Sequence, residues 1–322
     1  MTDAGSLAPL DRSAKVYIAG HRGLVGSAMW RHLETDGFTN LIGRTSTELD
    51  LRDHDRVGAF FAEQRPDVVI LAAAKVGGIH ANATYPADFL SENLRIQTSV
   101  LDAALAQRVE RVLFLGSSCI YPKFAPQPIH EDSLLTGPLE PTNDAYAIAK
   151  IAGVLHVQAV RRQHGLRWIS AMPTNLYGPG DNFSAENSHV LPALIRRIHE
   201  AKAAETPEVV VWGSGSPRRE FLHVDDLAHA TVHLLENYDD PAPINVGTGE
   251  DVTIKELAET IESVVGYSGA ISWDTSRPDG TPRKLLDVSR ITSLGWAPRI
   301  GLRAGIESTY AWYLEHRDSV RT

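Results

Sequence analysis

The sequence predicts an α/β fold, a doubly wound parallel sheet with a smaller α/β domain towards the carboxyl end. Three observations predict it. Short strands apolar on both faces alternate with longer helical patterns up to about residue 175, as buried parallel strands with helical crossovers require. A glycine trio stands at the first strand-to-helix turn. Beyond 175 the alternation gives way to short pieces divided by glycine- and proline-rich turns.

The elements follow in order. Residues 1–13 carry no apolar periodicity and are expected to form a flexible tail. Val16-Tyr-Ile-Ala19, Asn40-Leu-Ile42, Val68-Val-Ile-Leu71, Val112-Leu-Phe-Leu115 and Trp168-Ile-Ser-Ala171 read as strands. Between them, about 23–36, 53–64, 86–107 and 144–163 read as helices. Residues 14–175 are expected to form a nucleotide-binding domain. Residues 176–322 are expected to be mainly a substrate domain at the carboxyl edge of the strands, with later segments returning to the first domain.

Composition narrows the function classes. The 322 residues suffice to bury a core without covalent staples. Cys119 is the only cysteine, which excludes an intramolecular disulfide and suits a reducing compartment, so a cytoplasmic location is expected. The net charge of −9 and the lack of a basic run argue against a nucleic-acid partner. No apolar run approaches the roughly 20 residues of a membrane helix, and the amino terminus does not read as a signal peptide.

The first strand runs into Gly20-His21-Arg22-Gly23-Leu24-Val25-Gly26, a GxxGxxG turn opening a helix. Gly20 suits the tight turn, Gly23 a close approach to a pyrophosphate, and Gly26 the packing of helix on strand. The helix amino terminus offers amides and positive potential to phosphate. This is the dinucleotide-binding turn of a Rossmann sheet; the plain alternative is a glycine-rich turn with no ligand. At the end of the second strand, where an NAD enzyme commonly places an acid, stands Arg44. With Arg22 it favours a 2′-phosphate, hence NADP (as NADPH). Asp50 suits the adenine end; alternatively it only caps the next helix.

Tyr146-Ala-Ile-Ala-Lys150 places a phenol and an ammonium four apart on one helix face. A phenol becomes a useful proton carrier when a cation lowers its pKa, and Lys150 is expected to do so. The preceding strand ends in Gly116-Ser117-Ser118-Cys119, rich in hydroxyls at the ligand edge. Ser117, Tyr146 and Lys150 in this setting resemble the active site of extended short-chain dehydrogenases acting on nucleotide sugars.

Longer motifs sharpen the resemblance. Ala72-Ala-Ala-Lys-Val-Gly-Gly78, Ser117-Ser-Cys-Ile-Tyr-Pro122, Glu140-Pro-Thr-Asn143, Pro173-Thr-Asn-Leu-Tyr-Gly-Pro179, Asn187-Ser-His189, Arg219-Glu-Phe-Leu-His-Val-Asp-Asp226 and Pro278-Asp-Gly-Thr-Pro-Arg-Lys284 resemble the GDP-L-fucose synthase family over about 15–316. The resemblance implies that GDP-4-keto-6-deoxy-D-mannose is epimerised at C3 and C5 and reduced at C4 with NADPH. It implies that Cys119 and His189 carry the epimerisation, that Tyr146 protonates the C4 oxygen and that Ser117 orients it. Cofactor contacts are expected along Leu115, Gly116, Ser117, Ser118, Pro173, Thr174, Asn175 and Leu176, and at Lys150 and His189. Helices 86–107 and 144–163 are expected to form a homodimer interface.

The residue types suit this chemistry. Inverting a carbon beside a ketone needs a base on one face and an acid on the other. A thiol and an imidazole can both titrate near neutrality. The plain alternatives are a packing thiol for Cys119 and a helix cap for His189. Related dehydratases place an Asp-Glu pair where this chain has Ser118 and Cys119. For the nucleotide end, Arg197, Trp212, Arg219, Asp279 and Lys284 are the expected substrate contacts, with a solvated helix face as the alternative for Arg197. Lys75 lies in a matching motif, but the sequence assigns it no role. The runner-up function is a 4-reductase or C4 epimerase on another nucleotide sugar. A non-catalytic NADP sensor is disfavoured by the intact Tyr146–Lys150 pair.

Overall fold

The computed structural model describes residues 7–184, 188–277 and 279–318. Asn187 and Pro278, which carry two of the motifs, and residues 1–6 of the expected tail lie outside them. The rest of that segment is pinned down: the Leu10 amide donates to Glu236 at 3.1 Å, and Arg12 pairs with Glu236 at 2.6 Å and Asp36 at 2.7 Å. Its two charged partners lie on distant elements, which a sequence window does not reveal.

The first half of the chain forms β1 (Val16–Ala19), α1 (Leu24–Thr35), β2 (Leu41–Ile42), α2 (His54–Gln64), β3 (Val68–Leu71), α3 (Ile79–Thr84), α4 (Pro86–Ala106), β4 (Arg111–Leu115), α5 (Asp144–His164) and β5 (Arg167–Pro173). Each expected strand and helix is present, shifted by at most two residues at an end. α3 was not foreseen; Gly77-Gly78 before it and Tyr85-Pro86 after it limit it to six residues. The second half adds β6 (Asn175–Tyr177), α6 (Val190–Ala203), β7 (Glu208–Trp212), β8 (Arg218–Arg219), β9 (Phe221–His223), α7 (Val224–Asn237), β10 (Ile244–Val246), β11 (Val252–Thr253), α8 (Ile254–Val265), β12 (Ala270–Asp274), β13 (Arg283–Lys284), α9 (Ser289–Ser293) and α10 (Leu302–His316).

The main sheet has the order β10-β5-β4-β3-β1-β2, all parallel. Alternate residues feed alternate faces. Tyr17, Val69, Val112 and Phe114 join one core with α2, α4 and α5; Ile18, Ile70, Leu113 and Leu115 join another with α1 and α7. Full burial of each such side chain stabilises by about 1.5–3 kcal/mol. The chain leaves β1 for β2 and returns to β3 on the other side, so the crevice of this sheet opens between β1 and β3. Residues 224–246 come back to the sheet through α7 and β10. A third core gathers α6, α8 and α10 with β7 and β9.

Candidate active site

The glycine turn lies at that crevice. Gly20 has φ +87°, and a Cβ there would sit 2.9 Å from the backbone nitrogen of Ala73, just past β3. A Cβ on Gly26 would meet the Gly20 carbonyl at 2.1 Å, so α1 packs where only glycine fits. At Gly23 the nearest atom would be 3.4 Å away, ordinary contact, so the chain itself leaves room for a side chain there. Leu24 and Val25 send their side chains into the core and leave the first turn of α1 to present its amides. Burial and the Arg22 charge lower the His21 pKa, with Glu48 opposing; its buried Nδ1 has no hydrogen-bond partner among the described residues. Arg22 and Arg44, both exposed, act on His21 and on Glu48 alike, so the fold brings the two cations together. Asp50 is taken by Arg52, with contacts of 2.8 and 2.9 Å that hold its carboxyl at about 2. It does not cap α2; Asp53 does, accepting from the Arg56 amide at 3.1 Å.

Ser117 follows β4 and caps a short 3-10 turn, Ser118–Ile120, accepting from the Cys119 amide at 3.4 Å. α5 presses on β4 so closely that a Cβ on Gly153 would lie 2.3 Å from the Phe114 ring. That contact brings Tyr146 and Lys150 over the strand end. Lys150 donates to the Leu115 carbonyl at 2.8 Å, lies 4.9 Å from the Phe114 ring centre, and is pushed down to about 8 by burial. The Ser117 hydroxyl and the Cys119 thiol both act on the Tyr146 phenol, the first lowering its pKa and the second raising it. That phenol is pushed up, not down: burial outweighs the Ser117 hydroxyl, and Lys150 exerts no resolved lowering. The expectation that Lys150 lowers this pKa is corrected on that ground: burial keeps the phenol protonated. Cys119 is buried; burial raises its thiol, opposed first by the Lys284 charge, then by the Ser117 bond and Lys150.

Among the described residues the cluster is therefore Ser117, Cys119, Tyr146, Lys150 and Lys284. His189 stands at the amino end of α6 and makes no side-chain cap, so the capping alternative is not what its imidazole does. Its residue is open to solvent.

Past β5, Thr174 and Asn175 turn to the Glu220 carbonyl, at 3.3 and 2.8 Å. Sequence reasoning missed Glu220. Its carboxylate is fully buried and accepts from the amides of Thr248, Gly249 and Leu286 at 2.6, 2.8 and 3.0 Å. An acid beside the apolar Phe221-Leu222 was the available signal, since such a group must find donors. Lys75 also gains a role. It pairs with Glu92 at 2.6 Å, and Asn93 clamps its backbone at 2.9 and 3.0 Å, strapping the loop after β3 onto α4.

On the substrate side Trp212 is 66% exposed, with the Arg277 guanidinium 5.1 Å from its ring centre. Asp279 accepts from the Ser214 amide and hydroxyl at 2.9 and 2.7 Å and so fixes the turn after Trp212. Arg219 and Lys284 are register partners in β8 and β13, and Glu140 acts on both. Arg197 is exposed and donates to the Val210 carbonyl.

Residues 16–247 match the NAD dependent epimerase/dehydratase family. The chain is 62% identical over 306 residues to GDP-L-fucose synthase 1 of Arabidopsis thaliana, covering 95% of each. It is 57% identical over 316 residues to GDP-L-fucose synthase of Escherichia coli (strain K12), covering 95% of this chain and 98% of that one. The crystal structure of a GDP-L-fucose synthetase from Naegleria fowleri bound to NADP superposes with a TM-score of 0.92 at 29% identity, covering 99% of this chain and 98% of the other. A nucleotide-binding crevice, a Ser-Tyr-Lys set with a buried thiol beside it, and relatives matched over nearly their full length agree: the chain belongs to the NAD dependent epimerase/dehydratase family and, within it, to the GDP-L-fucose synthases.

Proposed function

We infer that this protein is a GDP-L-fucose synthase, which epimerises GDP-4-keto-6-deoxy-D-mannose at C3 and C5 and reduces its C4 ketone to give GDP-L-fucose. One observation carries the reading: two proton-handling sets share one site. Tyr146, with Ser117 acting on its phenol and Lys150 alongside, suits the ketone oxygen; Cys119, next to them, suits carbon. A simple 4-reductase needs only the first set.

NADPH is the cofactor, and the residues fit it. Gly20, His21, Arg22, Gly23, Leu24, Val25 and Gly26 would hold the pyrophosphate, with Gly23 left bare for its approach. Arg22 and Arg44 would hold the 2′-phosphate, and Asp50 would face the adenine end. Leu115, Gly116, Ser117, Ser118, Lys150, Pro173, Thr174, Asn175, Leu176 and His189 would border the nicotinamide half. When bound, NADPH supplies the hydride for C4. Tyr146 gives its proton to the C4 oxygen, which Ser117 orients, and Lys150 restores the phenol's charge balance. Cys119 and His189 exchange protons on opposite faces of C3 and C5. Arg197, Trp212, Arg219, Asp279 and Lys284 hold the substrate, so residues 176–322, apart from the segments returning to the main sheet, act as the substrate domain.

The working form is a homodimer through 86–107 and 144–163. Ile148 and Leu155, seven apart on one face of α5, are 47% and 44% exposed and would be covered by it. No helix among the described residues is long and apolar enough to cross a membrane, and the unpaired Cys119 suits the cytoplasm. The decisive test incubates the protein with NADPH and GDP-4-keto-6-deoxy-D-mannose and identifies the sugar. GDP-L-fucose supports the reading; a D-series 6-deoxy sugar points to the 4-reductase.

A further inference from the structure

We propose that Tyr121 and Asn245 are positioning residues for Cys119: a buried clamp on the edge strand of the main sheet that aims the thiol at the substrate carbon. The proposal deepens the function inferred above and rests on its assignment of Cys119 as a proton carrier.

The turn that bears Cys119 does little to hold itself. Its internal bonds, among Ser117, Ser118, Cys119, Ile120 and Tyr121, are 3.2 to 3.4 Å long, beyond the usual length of about 2.9 Å. The fold secures its two ends instead. At the entry the Gly116 amide donates to the Ala171 carbonyl of β5 at 2.9 Å, and a Cβ on Gly116 would lie 2.3 Å from the Met172 side chain. At the exit the Tyr121 hydroxyl donates to Asn245 Oδ1 at 2.6 Å. Asn245 stands in β10 opposite Met172 of β5, so both anchors meet one edge of the sheet.

Asn245 is fully buried between two apolar residues, and its side chain leaves no group spare. Its Nδ2 donates to the carbonyls of Ile129 at 2.9 Å and Asp287 at 3.0 Å, which fixes the amide's orientation and turns Oδ1 to the Tyr121 hydroxyl. Its backbone amide donates to the buried Glu131 carboxylate at 3.0 Å. Ile129 in turn is laced to the strand of Lys284: its amide donates to the Leu285 carbonyl at 2.8 Å, and its carbonyl accepts from the Asp287 amide at 2.9 Å. The Leu285 amide donates to Gln127 at 2.8 Å. One side chain thus joins the thiol turn, the segment that leaves it and the strand of Lys284. The Tyr121 ring alone would fill space; its hydroxyl bond fixes where the turn lies along the sheet edge. Proton transfer at carbon demands that precision, because the sulfur must sit in line with the carbon–hydrogen bond.

The test uses the whole protein. Tyr121→Phe keeps the ring and removes the clamp. Deuterium incorporation at C3 and C5 of GDP-4-keto-6-deoxy-D-mannose should fall by roughly 5- to 100-fold, the scale that a displacement of about 1 Å produces, with NADPH binding unchanged. The share of D-series product should rise as reduction overtakes epimerisation. A merely structural role predicts a lower Tm with the product ratio of the folded enzyme unmoved, and that outcome would overturn the proposal. So would failure of the phenylalanine variant to fold, since the hydroxyl would then hold the core rather than aim the thiol. Asn245→Ala should reproduce the loss, and adding Tyr121→Phe to it should change exchange little further. Additive losses would refute the pairing of the two residues. Exchange in the wild type that the variants leave undiminished overturns the proposal alone. A wild type that exchanges nothing overturns the epimerase function, and the proposal with it.

Discussion

Lys150 donates to the carbonyl of Leu115 at 2.8 Å, tying the helix that bears the phenol to the strand that bears Ser117 and Cys119. The tie is short because Gly153 lets α5 settle on Phe114. One helix–strand contact thus sets the spacing of the proposed reductive and epimerising groups.

Gly153→Ala tests that spacing. Its Cβ would fall 2.3 Å from the Phe114 ring, so helix or ring must shift. The expected loss of stability is about 1–3 kcal/mol. A fall in Tm accompanied by slower ketone reduction is the outcome sought; an unchanged Tm would mean that the helix does not depend on this close approach.

Tyr146→Phe removes the phenol proton that burial preserves. NADPH oxidation should fall by roughly 10²-fold or more, while solvent deuterium still enters C3 and C5. Loss of both activities in a folded variant would show that the two sets are not separable.

Cys119→Ser keeps nearly the same shape and replaces the thiol with a far weaker acid. Deuterium incorporation at C3 and C5 should disappear, with folding and NADPH binding retained. Slow reduction of the unepimerised ketone would then yield a D-series product. Undiminished incorporation, read by mass spectrometry, would return Cys119 to a packing role.

Arg44→Asp should reduce or reverse a preference for NADPH over NADH. Each charge-assisted contact to phosphate lost should cost about 1.5–3 kcal/mol, roughly 10- to 100-fold in kcat/KM. Equal kcat/KM for the two cofactors in the wild type would refute the assignment of Arg22 and Arg44.

His229 gives a pH dependence. Its Nδ1 accepts from the buried Trp296 indole at 2.8 Å, and burial, with Arg299 and His32 adding to it, lowers its pKa. The unfolded chain takes up its proton near the ordinary value of about 6.5, before the folded one does. The stabilisation is therefore complete above that pH and is lost as pH falls below it. His229→Gln should flatten the fall in Tm on acidification; an unaltered slope would place the sensitivity elsewhere, His32 being the next candidate.

What the sequence determined by itself is local. Strand and helix periodicity located the central sheet to within two residues at each end, because burial on both faces leaves an unbroken apolar run. The glycine turn, the Tyr146–Lys150 spacing and Ser117 beside Cys119 were legible because they are near neighbours along the chain. The tertiary structure alone decided what depends on distant partners. It returned α7 and β10 to the sheet, anchored residues 10–12 on Glu236, gave Asp50 to Arg52, and set Lys75 to strapping a loop. It also reversed the expected shift at Tyr146, since desolvation depends on everything packed around a phenol and not on the lysine four residues away. Lys284 lies 165 positions from Cys119 in the sequence, and only the lacing of its strand to the segment after Cys119 brings its charge to bear on the thiol.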